Sequence, residues 1–553
     1  MSPLVSELLA KRGIVDTETF LNPQWERDIH DPFLLTDMDR AVGRILAALR
    51  GNEKIAIYAD YDCDGVPGAA LLSDFFGKIG YKNIEVYIPH RDREGYGMHE
   101  SALKTLSESG VSLIITVDVG TVAVEPIAYA NTLGMEVIVT DHHDLQEILP
   151  NCVAVINPKR ASYPFPHLCG AGTAYKLVQA LFIEGRKQAI PEFLAVPLGW
   201  EKWLLDLVAI ATVADMVSLI GENRALVYFG LMVLRKSPRK GLRALLLALN
   251  IRQSELTEDD IGFSIAPRVN AASRMGEPET AFRLLTTQGA TEAEHLARHL
   301  EELNTKRKST VAAMVKEAKK RLKQRYALAD KVVVLGDTEW KPALAGLAAT
   351  SLLSGRAGVV CVWGKDGNGV LKGSCRTDGS VSVVELFARA RDSLIEYGGH
   401  AASGGFSVSH DAVHALPDVL ARAFCDIQST PRPIPEPDLS VSIREIGMAL
   451  WRDIARLAPF GVGNPKPLLC VSRTVVRAVK LFGKEKNHTE VQCACDESGA
   501  RVRAFQFFKQ PSDFTVVPEE GEVLSVVATL EKDTFRGSSA VALRLVDIAH
   551  ARS

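Results

Sequence analysis

The sequence predicts an α/β protein with three parts: a doubly wound parallel sheet, a second α/β domain reached through a long connecting helix, and a C-terminal β-barrel. Three observations carry that prediction. Apolar, β-rich runs recur about every 25 residues between Lys54 and Pro158, with helix-like stretches between them; short strands buried on both faces and separated by helices make a parallel sheet. The composition then turns abruptly basic from Asn304 to Arg325. Five strand-like runs with turn signals between them close the chain.

Residues 1–40 are a helical lead-in. In a domain spanning 41–288, strands are expected at Lys54–Ala59, Ile84–Ile88, Ser112–Val117, Glu136–Thr140 and Val153–Ile156, and helices at Ala69–Ile79 and Val122–Thr132. The connecting helix covers 289–326. Its nine cations between Lys306 and Arg325 face one acid, Glu317, while Leu296, Leu300, Leu303, Val311 and Met314 form an apolar stripe. A solvated linker face is the first reading of those cations, and a basic flank beside a polyanion the second. A second α/β domain, 327–429, opens with the strand Lys331–Leu335. The Pro-rich segment Thr430–Pro437 leads into the last domain, 430–553.

In that domain the runs Val471–Lys480, Thr489–Cys495, Arg501–Phe507, Val523–Leu530 and Ala540–Asp547 fit a five-stranded barrel of the OB-fold type. Arg473, Arg477, Lys480, Lys484, Lys486, Arg501 and Arg503 are interleaved with Phe482, Phe505, Phe507 and Phe508, a mixture that suits single-stranded nucleic acid. Most of those rings fit the barrel core, which leaves one or two for stacking on bases.

Composition sets limits. With 553 residues, 47% hydrophobic and 24% charged, the chain is long enough for several globular domains. No apolar run of about 18 residues and no secretory leader is found, so a cytoplasmic protein without membrane contact is expected. The nine cysteines are scattered, without a C-x-x-C pair, which suggests neither a disulfide framework nor a zinc site. A net charge of −3 argues against nucleic-acid binding over the whole surface and leaves room for a local patch.

The acids fall at the carboxyl ends of the expected strands, where open α/β sheets gather ligands. The first strand runs into Asp60, Asp62, Asp64 and Gly65, the third into Asp118, the fourth into Asp141-His142-His143. A further apolar segment, Leu205 to Ala214, ends in Asp215. Alternate residues of extended chain project to one side, so the first three aspartates can converge while Gly65 turns the backbone away. Any one of these acids alone is as easily a helix cap. Clustered carboxylates repel one another unless cations or protons neutralise them. Oxygen-rich ligands with an imidazole suit two divalent cations, Mn2+ or Mg2+.

Asp60 to Gly65, Thr116 to Gly120, Asp141 to His143 and Thr212 to Asp215, in this order, resemble the four motifs of the DHH phosphoesterase superfamily. Arg91 with Glu94 to Gly97, Leu168 to Gly172, Pro267 to Gly276, Gly398 to Ala401 and Pro459 to Pro465 extend the resemblance, over nearly the whole chain, to the RecJ family of bacterial single-strand-specific 5′ to 3′ exonucleases. It implies a DHH domain, a DHHA1-type accessory domain and two-metal hydrolysis of single-stranded DNA to 5′-mononucleotides in recombination and repair. It also implies that Asp60, Asp62 and Asp118 hold one metal, and that Asp64, His142 and Asp215 hold the second with Asp118 bridging. His143 then touches the scissile phosphate and Asp141 orients the imidazoles. His400, Ser374, Arg376, Arg91, Arg274 and Lys341 are the substrate-binding positions it points to. Lys341 stands where relatives carry histidine, and a lysine keeps the charge but cannot shuttle a proton near neutrality. Single-stranded DNA is the expected partner of a monomer, with single-strand-binding protein or a helicase as candidates for delivering it. Two alternatives share the motifs: a phosphoesterase for short oligonucleotides or cyclic-dinucleotide products, and a non-catalytic DNA-binding scaffold.

Overall fold

Near-continuous apolar runs become the five all-parallel strands of the first sheet: β1 Lys54–Ala59, β2 Ile84–Tyr87, β3 Val111–Val117, β4 Glu136–Thr140 and β5 Ala154–Ile156. The computed structural model describes residues 3–160, 163–428, 436–483, 486–495, 499–533 and 540–550. Strand order is β2-β1-β3-β4-β5. The chain therefore leaves β1 toward one edge and returns through β3 toward the other. The loops after β1 and β3 part at this switch point, where an open α/β sheet offers a crevice. Helix Gly65–Lys78 starts four residues earlier than the sequence pattern suggests, directly at the end of the acidic loop, because Pro67 is tolerated within a first helical turn. The apolar segment before Asp215 is the helix Leu205–Ala214; it is buried along most of its length, as a helix apolar on all sides must be.

The second sheet contains β6 Val332–Gly336, β7 Val359–Lys365, β8 Leu371–Thr377, β9 Glu396–His400 and β10 Ser403–Val408, in the order β6-β7-β8-β10-β9. One face packs on Leu386, Phe387, Leu416 and Leu420. The other packs on helix Pro342–Leu353 and on Met314 and Ala318 of helix Ala290–Arg325. That helix has 36 residues and a length of about 54 Å at 1.5 Å per residue. Its buried Leu296, Leu300 and Leu303 lie in its first half, so one rigid rod carries an apolar stripe for both α/β domains.

The last sheet comprises β11 Leu439–Val441, β12 Leu469–Phe482, β13 His488–Ala494, β14 Arg501–Gln506, β15 Val523–Lys532 and β16 Val541–His550, and pairing of β12 with β15 closes β12 to β16 into a five-stranded barrel. Val5, Leu8 and Leu9 of the N-terminal helix Pro3–Lys11 belong to the barrel's core. The described residues accordingly fall into two compact units, one of residues up to Glu26 together with those from Glu436 onward, the other from Arg27 to Gln428. Thr430 to Pro435 of the Pro-rich segment, and Lys484, lie outside the described residues. Among the described residues no helix is long and apolar enough to cross a membrane.

Candidate metal centre

The acids meet where β1 and β3 end. Asp60 prolongs the ladder, its N–H donating to Val117 O at 3.1 Å. Asp62 Oδ1 accepts from the N–H groups of Asp64 (2.8 Å) and Gly65 (3.2 Å), which fixes the turn. A β-carbon on Gly65 would lie 2.3 Å from Asp60 O, so only glycine fits. Asp64 is buried against the start of helix Gly170–Lys187, accepting from Gly170 N at 2.6 Å and Ala171 N at 2.7 Å. That helix end favours negative charge. Asp118 adopts a left-handed φ of 62° while its N–H still donates to Thr140 O at 3.0 Å, a conformation that aspartate tolerates better than most residues. Gly170 allows the approach: a β-carbon there would meet Asp118 Cβ at 2.5 Å.

The end of β4 supplies the imidazoles. Asp141 accepts from Thr121 N (2.8 Å), His142 N (2.7 Å) and His143 Nδ1 (2.7 Å), so its oxygens are taken by protein donors. Because a carboxylate only accepts, His143 Nδ1 carries the proton. Tyr96 Oη, 3.1 Å from that nitrogen, donates to Asp118 O at 3.2 Å. His142 Nε2 stands 3.1 Å from Asp118 Oδ1, 3.6 Å from Asp215 Oδ2 and 3.7 Å from Asp64 Oδ2. Three groups each bring one ligand atom per residue within 4.8 Å of one another: Asp60, Asp62 and Asp118; Asp64, His142 and Asp215; and Asp118, His142 and His143. The first two are the sets the sequence motifs pointed to, and Asp118 and His142 each occur in two groups.

Electrostatics define what this cluster lacks. Burial, then the neighbouring carboxylates, push Asp60 and Asp118 well above the usual carboxyl range. Burial and Asp62 push Asp64 up to about 7, and burial with Asp64 pushes Asp215 up to about 9. Burial, then the charge of His143, pushes His142 down to about 3, the neutral form a ligand needs. Burial works against the charged form of Asp141 too, but its bonds to His143 and Thr121 prevail and hold it well below the usual range; His143 is raised in return. Asp60 Oδ1 and Asp118 Oδ1 are buried without a hydrogen-bond partner. Acceptors left bare among like charges fit divalent cations, and the donor set of hard oxygens with one or two imidazoles fits Mn2+ or Mg2+.

Beside the acids lies a group of guanidinium ions. Arg91 sits over the Tyr61 ring at 4.9 Å. Arg274 donates to Ala343 O at 2.6 Å, and burial, then Arg91 and Arg307, disfavour its cation. Arg376 faces Arg91 as well. Ser374 and Arg376 flank Gly346, where a β-carbon would lie 2.6 Å from Arg376 Nη2 and 3.4 Å from Ser374 Oγ. His400 lies on exposed β9, close enough for its charge to act on His142 and Asp144. Lys341 immediately precedes helix Pro342–Leu353, without a side-chain capping bond, and its charge acts on Asp92.

Three further residues belong to the site. Tyr96 anchors Asp118 and His143, Asn270 Oδ1 accepts from Cys63 N at 3.0 Å within the acidic turn, and Arg307 adds to the guanidinium group. The first two lie inside motifs visible in the sequence; Arg307 was one cation among nine on a helix, with nothing to single it out.

Residues 54–212 match the DHH family N-terminal domain, and residues 437–547 match the RecJ OB domain. The single-stranded-DNA-specific exonuclease RecJ of Bacillus subtilis (strain 168) is 34% identical over 560 residues, covering 99% of this chain and 68% of its own. The RecJ of Thermus thermophilus is 32% identical over 531 residues, covering 95% of this chain and 73% of its own. The crystal structure of Thermus thermophilus RecJ in complex with Mn2+ superposes with a TM-score of 0.80 at 27% identity, covering all (100%) of this chain and 76% of that one. Sequence, fold and site chemistry agree, and the chain belongs to the RecJ family of DHH-domain exonucleases.

Proposed function

We propose that this chain is a metal-dependent exonuclease that degrades single-stranded DNA from the 5′ end, releasing 5′-mononucleotides, in DNA recombination and repair. The observation that carries this reading is the pair of ligand groups joined through the 3.1 Å approach of Asp118 to His142. A relative at 34% identity over 99% of this chain is named a single-stranded-DNA-specific exonuclease.

When bound, two divalent cations, Mn2+ or Mg2+, supply a nucleophilic water at neutral pH and Lewis-acid stabilisation of the phosphodiester. Asp60, Asp62 and Asp118 would hold one cation, and Asp64, His142 and Asp215 the other, with Asp118 within reach of both groups. Asp141 holds the Nδ1–H of His143 and favours its cationic form, which places a positive charge at a non-bridging oxygen of the scissile phosphate. Arg91, Arg274, Ser374 and Arg376 receive the terminal phosphate: guanidinium ions crowded together and buried are relieved by a multivalent anion. His400 faces the metal ligands, its charge acting on His142, and binds the substrate phosphates there, and Lys341 adds a further positive charge for the strand. The barrel supplies grip on a strand, which a dinucleotide substrate does not require.

The test uses single strands labelled at either end, with Mn2+ or Mg2+. Mononucleotides released from the 5′ side only, and lost in Asp118→Ala, are expected. Cleavage of dinucleotides with longer strands untouched, or release from the 3′ side, would overturn the reading.

A further inference from the structure

We infer that Arg239, at the far end of two helices from the metal centre, is a positioning residue: it fixes the register between the helices that carry Asp64 and Asp215, and thereby the affinity for one of the two divalent cations. This rests on the metal-dependent reading of the site and deepens it. The two helices, Gly65–Lys78 and Leu205–Ala214, pack on one another. Asp64 precedes the first and Asp74 lies ten residues on; Asp206 lies in the first turn of the second and Asp215 follows nine residues on. The helices therefore run in opposite senses between the metal centre and Arg239, and each spans about 14 Å between its two acids at 1.5 Å per residue.

At that end one guanidinium ties three helices together. Arg239 Nε donates to Asp206 Oδ2 at 2.7 Å, while Nη1 donates to Asp74 Oδ2 and, at 3.1 Å, to Leu285 O of helix Pro278–Thr286. Ser237 Oγ donates to the same Asp206 oxygen at 2.7 Å, and Asp206 Oδ1 accepts from Leu207 N at 2.8 Å. Asp206 is 1% exposed. Burial disfavours the Arg239 cation, and Asp206, then Asp74, more than offset that. Among the described residues no ion pair other than those of Arg239 reaches either helix.

Apart from these acids and Ser73, Lys78 and Thr212, the two helices are apolar, and both are largely buried. Thr212 donates its hydroxyl to Val208 O of its own helix at 2.7 Å and approaches Cys169 Sγ at 3.5 Å. Apolar burial is non-directional and follows the area removed from water, so it tolerates small slides and rotations of one helix on the other. A buried ion group does not, because displacement leaves an acid uncompensated, and setting register is the best-attested use of such groups. The opposite ends of the helices need that register. Asp64 Oδ2 and Asp215 Oδ2 stand 3.7 and 3.6 Å from His142 Nε2, and ligand distances in a metal site hold within about 0.2 Å, far less than the rise of one helical residue, about 1.5 Å.

Calorimetric Mn2+ titration of the full chain reads both affinity and stoichiometry. Two ions are expected in the unsubstituted chain; fewer would be a failure of the metal-centre reading itself, seen before any variant is compared. Arg239→Lys keeps a cation beside the acids but lacks the fork that reaches both of them and Leu285 O together, so one ion should bind as before and the other about tenfold more weakly. Replacing the whole group by Asp74→Leu, Arg239→Met and Asp206→Leu leaves no bare charge, an exchange that buried ion groups often survive, and should weaken that ion by about 10–100-fold. Arg239→Lys decides alone if the apolar exchange does not fold. Leu246→Ala, buried on helix Lys240–Ala248, should lower the unfolding midpoint and leave both ions bound as before, which separates positioning from general stability. Unchanged affinity for both ions in Arg239→Lys or in the folded apolar variant, or an equal weakening in Leu246→Ala, would overturn the assignment.

Discussion

Replacing Gly170 by alanine sets two physical effects against each other. Helix propensity alone favours alanine over glycine by about 1 kcal/mol. The site opposes it: the new methyl would lie 2.5 Å from Asp118 Cβ and 2.8 Å from Asp118 Cα, contacts that no side-chain rotation can relieve. Overpacking of this kind costs roughly 1–3 kcal/mol. If the helix end retreats to make room, Asp64 loses the N–H groups of Gly170 and Ala171 at 2.6 and 2.7 Å, each charge-assisted bond contributing about 1.5–3 kcal/mol. Displacement of Asp64 and Asp118 strikes both ligand sets at once, so Mn2+ affinity should fall by about 10–100-fold, the range seen when groups supporting metal ligands are lost. Calorimetric Mn2+ titration reads this directly. Gly77→Ala is the control: its β-carbon meets nothing within 4 Å, and it should leave Mn2+ binding unchanged and stabilise the fold by about 0.5–1 kcal/mol. Unaltered affinity and stoichiometry in Gly170→Ala would refute the close-approach argument.

Three other outcomes are expected. Asp64 and Asp215 are raised to about 7 and about 9 in the ion-free fold, so the fold retains protons that the unfolded chain releases above about pH 4. Their contribution to stability is therefore full below about pH 4, declines as pH rises above it, and is lost once pH passes about 7 for Asp64 and about 9 for Asp215; in chelator the unfolding midpoint should fall between about pH 4 and 9, and the gain on adding Mn2+ should widen, whereas a constant gain would contradict the assignment. Asp141→Asn removes the charge that favours cationic His143 while keeping its size; turnover should fall at least tenfold, with Mn2+ uptake reduced far less, and the reverse pattern in a calorimetric and steady-state comparison would make Asp141 a ligand. Because the charge of Lys341 acts on Asp92, which is no member of the ligand groups, Lys341→His should change turnover without changing Mn2+ affinity, and a lost metal site would show its placement to be wrong.

Much of the fold is legible in the sequence. Period-two and continuous apolar runs located β1, β3 and β4 within one residue, because strands buried on both faces leave little ambiguity. The convergence of Asp60, Asp62, Asp64 and Asp118 is legible from position, since the carboxyl ends of parallel strands at a switch point share one crevice; Asp215 ends a helix instead, and the sorting of the acids into two ligand sets comes from the family resemblance. Other features depend on contacts between residues distant in sequence. The docking of Val5, Leu8 and Leu9 into the barrel core spans more than four hundred residues of chain and leaves no local pattern. The tie between Asn270 and Cys63, and the crowding of Arg307 on Arg274, likewise exist only in the folded chain. Alternation in β14 and β16 separated the outward phenylalanines from the core once strand register was known; composition alone had placed most of them inside.

The central claim, that carboxylates and imidazole from four separate segments share a pair of divalent ions, is tested most directly by electron paramagnetic resonance of the Mn2+-loaded full chain alongside its binding stoichiometry. Two ions per chain with an exchange-coupled spectrum, which collapses in Asp118→Ala, is the predicted result. One ion per chain, or two ions giving the spectrum of isolated Mn2+, would contradict it.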